Sequence, residues 1–126
     1  MSLDIYIKSA EKEEHICECP TCYTEHKCES HPEIAHFNIT HNLGKMADAC
    51  GVYDCLWRPD EHSINTCKQM IEPLRLGILR LQEDPEKYKA FNPSNGWGSY
   101  EGLIKVLSEY LLICIENPDA KIVAWR

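Results

Sequence analysis

The 126-residue sequence holds no apolar run of the length that crosses a bilayer, and nowhere do three basic residues stand together. The first absence argues against a membrane-spanning chain. The second argues against a nucleic-acid surface, which needs clustered Lys and Arg to replace the counterions on phosphates. The charge balance agrees, since 20 Asp and Glu against 13 Lys and Arg leave a net charge of −7. There is no internal repeat and no low-complexity tract. The opening Met-Ser-Leu-Asp-Ile-Tyr-Ile-Lys lacks the basic and apolar regions of a signal peptide, so the expected location is cytoplasmic. Also missing are Gly-x-Ser-x-Gly, the phosphate-binding Gly-x-x-x-x-Gly-Lys-Ser/Thr, His-Glu-x-x-His and Gly-x-Gly-x-x-Gly. The enzyme classes those motifs mark are set aside.

What remains is an ordinary globular composition, 44% hydrophobic and 26% charged, on a chain of one domain's length. The expectation is a single domain over 1–126 with a Cys/His-rich insertion at 9–33, possible to stabilise with zinc. Residues 3–8 and 121–126 read as short strands that pair with each other, because terminal segments need tying down. Residues 33–39 alternate like a third strand. Thr40 reads as the cap of a helix running to about Cys50, with Gly51 as its stop. Residues 63–83 carry a helical pattern that Pro73 interrupts, which predicts a kink or two helices end to end. Asp84-Pro85 opens a short helical turn reaching Phe91. Residues 92–98 are a loop by their Asn, Pro and Gly content, and Ser99 caps a last helix ending near Asn117-Pro118. The fold class is α+β, with about three strands packed against three or four helices and a Cys/His-rich loop.

Residues 9–31 are polar and cysteine-rich and have almost no large apolar side chains, so they read as a loop or a metal-held segment. In a reducing cytosol, cysteines are thiols or metal ligands before they are disulfides. Cys19-Pro-Thr-Cys22 followed by Cys28-Glu-Ser-His31 gives two i, i+3 pairs, which suit one tetrahedral, structural Zn²⁺. His15, Cys17 and His26 are spare candidates. A metal-free surface loop is the plain alternative, and a redox role for Cys-Pro-Thr-Cys a weaker one.

Two polar-aromatic stretches carry the remaining chemistry: Asn38-Ile-Thr-His-Asn-Leu-Gly-Lys-Met-Ala47, with Trp57-Arg58 beyond it, and Asn92-Pro-Ser-Asn-Gly-Trp-Gly-Ser-Tyr100. Asn38, Thr40, His41, Asn42, Arg58 and Asn95 offer donors and acceptors, while Trp57 and Trp97 offer flat faces. A helix start beside an Arg and two aromatics would suit a planar anionic ligand such as a nucleotide. Each also has a plain structural use: Asn38 and Thr40 in turns and caps, His41 and both tryptophans in the core, Arg58 in an ion pair.

These stretches, together with Gly51-Val-Tyr53 and Leu56-Trp-Arg-Pro59, resemble a group of small, mostly uncharacterised proteins encoded by phages, prophages and bacteria. The resemblance covers most of the chain, and Cys19-Pro-Thr-Cys22 looks like a Cys-Pro-x-Cys element of some members. By analogy of size and genome context, it implies a protein that sequesters a signalling nucleotide of bacterial immunity, in the host cytosol, without cleaving it. A small hydrolase with His41 as base, partnered by Cys50, Cys55, Asp48 or Asp54, is the runner-up. An acidic protein-interaction module is the third reading. Length leaves a homo-oligomer open, and a pocket of this kind is often built across a dimer.

Overall fold

Strand β1 (Ser2–Lys8) alternates strictly, burying Leu3, Ile5 and Ile7 while Ser2, Asp4, Tyr6 and Lys8 face outward. This computed structural model describes residues 2–9, 13–16, 27–30, 33–94, 96 and 98–126. β1 is the centre of a three-stranded antiparallel sheet, flanked by β4 (Glu33–Thr40) and β5 (Lys121–Trp125). Its register sets Ile5 opposite Phe37 and Ala124, so the buried side chains of all three strands share one face. The two terminal segments are therefore neighbours, as their composition suggested. A slip in the β1–β4 register falls between Ile7 and Lys8, where the chain leaves the sheet.

Within the Cys/His-rich insertion, the expectation of a loop needs correction. Strands β2 (Glu13–Ile16) and β3 (Lys27–Ser30) form a separate two-stranded antiparallel sheet. Strand pairing is satisfied by backbone hydrogen bonds, which an apolar pattern does not report.

The covered face of the main sheet packs on helices. The two long ones are α3 (Cys67–Glu83) and α5 (Tyr100–Glu116), packed against each other. Met70, Leu74, Ile78 and Leu81 of α3 join Leu103, Leu107 and Tyr110 of α5 in one core with the strand residues. The Tyr110 ring stacks on Phe37 of β4 at 5.4 Å between centroids. Fully burying a Leu or Ile of this set contributes about 1.5–3 kcal/mol.

Pro73 lies inside α3, which runs as one helix and not as two. A proline there removes one rung, the bond to the Gln69 carbonyl, and the buried stripe on either side holds the helix together. The helix also begins later than its pattern, at Cys67. The preceding Asn65 and Thr66 instead lie along β5, where the Ile122 N–H donates to the Asn65 carbonyl and the Cys67 N–H to that of Ala120.

The caps fall where their residue types put them. Ser99 accepts from the Gly102 N–H, and Asp84 accepts from the Lys87 N–H to open α4 (Pro85–Lys89). The remaining helices are short: a 3₁₀ turn at His41–Leu43, α1 (Gly44–Ala49), α2 (Tyr53–Trp57) and a second 3₁₀ turn at Pro59–His62. Thr40 does cap the first turn, and Gly51 does end α1 with φ of 82°. The single helix expected from Thr40 to Cys50 is thus a 3₁₀ turn followed by six helical residues.

Candidate functional site

β4 delivers the chain to the site. At its end, the Thr40 hydroxyl accepts from the Asn42 N–H at 3.3 Å and from the Asn42 side-chain amide at 3.2 Å, which turns the chain into His41–Leu43. On the other side, the loop after α4 is closed by the Asn92 side-chain oxygen, which accepts from the Tyr100 N–H at 2.8 Å. Gly98, with φ of 102°, lets this loop settle on the turn. A Cβ there would lie 2.8 Å from Thr40 Cγ2 and 2.9 Å from Leu43 Cγ. The two polar-aromatic stretches, about fifty residues apart, are thus brought together.

Between them opens a cleft of about 520 Å³. One wall is His41, Asn42 and Lys45; the other is Ala90, Phe91, Asn92 and Pro93. The first wall is polar and cationic. The second is mostly apolar, with Phe91 37% exposed. The His41 ring packs at a tilt on Trp57, 6.1 Å between centroids. Its Nε2 is buried and has no hydrogen-bond partner among the described residues. A buried polar atom left unpaired costs about 1–3 kcal/mol, so a polar partner reaching this nitrogen would be stabilising. A second, smaller cleft of about 270 Å³ runs beside it, lined by Asn38, Thr40 and Leu43 and by Gly98, Ser99 and Gly102 of the α5 start.

Of the residues singled out in the sequence, His41 and Asn42 line the main cleft, and Thr40 lines the smaller one. Asn38 lines the smaller cleft, but its amide is committed to the open face of the sheet. It donates to Ser2 Oγ at 2.8 Å and to Asp4 Oδ1 at 2.9 Å. Trp57 offers no open face: it is 3% exposed, with its ring stacked on Tyr53 at 5.1 Å. Arg58 does not reach the cleft. Its guanidinium donates to Glu61 at 3.1 Å, and its pKa is raised by its bond to Tyr53 and then by Glu61. Asn95 and Trp97 lie outside the described residues. The expected anion site at a helix start also falls away, because α1 has only six residues and too short a dipole to hold a charge. The charge is supplied instead by Lys45, which the sequence reading passed over. Lys45 lies four residues after His41, one turn on, and that spacing was the available signal.

Cys19, Cys22 and His31 also lie outside the described residues. Cys28 lies on β3, directly opposite His15 on β2 in the strand register. Cys17 is also outside the described residues, and Cys50, Cys55, Cys67 and Cys114 are buried thiols. Burial pushes the Cys50 pKa up and that of Cys55 to about 12, which disfavours the thiolate form of both. Burial of this kind works against the Cys–His pairing considered for catalysis.

No protein-family model, curated protein or solved structure matches this chain.

Proposed function

We propose that the protein binds a small, nucleotide-like anionic ligand in the cleft between the His41–Lys45 turn and the Ala90–Pro93 loop, without turning it over. The observation that carries this reading is the pairing in one cleft lining of the exposed Lys45 and of His41, whose buried Nε2 has no partner among the described residues. Lys45 would hold the anionic group, Asn92 and His41 would meet polar edges, and Phe91 would cover an apolar or aromatic body. The resemblance to small phage-encoded proteins suits a role in sequestering a signalling nucleotide.

The test is native mass spectrometry of the protein mixed with a panel of nucleotides. A nucleotide retained at its full mass, with retention weakened roughly tenfold in His41→Phe, is the expected result. A cleaved product would replace this reading with the hydrolase, and unchanged binding in His41→Phe would move the site elsewhere.

We further infer that the Cys/His-rich insertion holds a structural zinc through Cys19, Cys22, Cys28 and His31. Its support is the spacing of the two i, i+3 pairs and the β2–β3 hairpin, which places the strand bearing Cys28 beside the one entering the 17–26 segment. Zinc would supply folding free energy to a segment with little apolar content. The expected outcome is one zinc per chain by elemental analysis, and a lower Tm after chelation that added zinc restores. A chain without zinc, or a Tm indifferent to chelator, would reject it.

A further inference from the structure

The cleft described above has one Lys or Arg side chain in its lining. Lys45 is the single cationic residue among those lining it, and it has no ion-pair partner among the described residues. The neighbouring cations are already engaged. Lys89 Nζ lies 3.9 Å from Glu101 and 5.6 Å from the centre of the Tyr100 ring, Lys87 lies over the Tyr88 ring, and Arg58 is held by Glu61. The 92–98 stretch contributes no further charge, because it contains no Lys or Arg. Around the cleft is a chain of net charge −7.

A ligand entering here leaves water for a wall that is half apolar. Each anionic charge beyond the first would be desolvated with no cation to meet it, in the field of an acidic protein. The shape of the walls narrows the ligand further. Ala90, Phe91 and Pro93 bring apolar surface to the same cleft as the His41 ring, a lining that suits a flat, partly apolar body. The Asn92 oxygen is used by the Tyr100 N–H, which leaves its amide N–H₂ to donate.

Resting on the binding reading above, we propose that the cleft selects ligands carrying a single negative charge on a planar heterocycle. Among nucleotides, these are cyclic monophosphates, whose phosphodiester bears one charge, in preference to monophosphates, diphosphates and triphosphates. Lys45 meets the phosphodiester; His41 and Asn92 meet the edge of the base.

Calorimetric titration of the intact protein tests this with four matched series, one for each common ribonucleoside. Each series contains the nucleoside, its 3′,5′-cyclic monophosphate, its 5′-monophosphate and its 5′-triphosphate. In the series that binds, the cyclic monophosphate is expected to bind most tightly, with the triphosphate weaker by about tenfold or more. In Lys45→Gln, its fold verified by circular dichroism, the cyclic monophosphate should fall to the level of the uncharged nucleoside. A triphosphate or monophosphate that binds as tightly as the cyclic form would overturn the charge selection while leaving anion binding in place. Absence of binding in all four series would overturn both.

Discussion

Asp4 is the most heavily engaged carboxylate on the open face of the sheet. It accepts from Asn38 at 2.9 Å and from His36 Nε2 at 3.0 Å, and the His36 ring stacks on Tyr6 at 4.5 Å. The Asn38 bond, then the His36 bond, lowers its pKa from the ordinary 3.8. A carboxyl lowered on folding stabilises the protein above its unfolded value and loses that contribution as pH falls through the folded value. Asp4→Ala should therefore unfold more readily than the parent at pH 7, and the difference should shrink as pH falls below about 3.8. Urea melts across that range measure it; a gap that stays constant with pH would mean the carboxylate contributes nothing. At this scale the sequence was partly legible. His41 and Asn42 stand out as part of a polar stretch where a strand gives way to a helical turn. Lys45 does not, because an exposed lysine looks the same whether or not it faces a cleft. Trp57 and Arg58 were misleading for the opposite reason: their chemistry suits a ligand, but Tyr53 and Glu61 already use it.

The elements are joined at a few specific points. One is the Tyr100 hydroxyl, which donates to the Leu81 carbonyl at 2.6 Å from within the core. Leu81 belongs to the last turn of α3, where carbonyls have no partner within the helix. Tyr100 is also the first residue of α5, so this bond ties the end of one long helix to the start of the other. Tyr100→Phe should cost about 1–2 kcal/mol by urea denaturation, because it leaves that carbonyl buried without its donor. Stability equal to the parent's would mean that water replaces the hydroxyl. The helices and the main strands were legible because each is bounded by a cap, a glycine or a proline and carries an apolar period. The exceptions are equally physical. The period through 63–83 does not say that Asn65 and Thr66 would pair with β5, and the sequences of β2 and β3 are too polar to show a strand's apolar alternation.

At the scale of the whole molecule, the cleft is a product of long-range packing. β4 brings one wall, α4 and its following loop bring the other, and Gly98 lets them meet against Thr40 and Leu43. Local pattern identified both stretches but held no information that they face each other across one space. The most direct test of the account is a ¹H–¹⁵N NMR titration of the labelled protein with the cyclic monophosphate that binds best, followed by the ³¹P spectrum of the same sample. The account predicts amide shifts concentrated at His41–Lys45 and Ala90–Asn92, with the phosphodiester signal unchanged in chemical identity after prolonged incubation. Shifts centred on another part of the fold, or a new phosphate signal from a cleaved product, would contradict it.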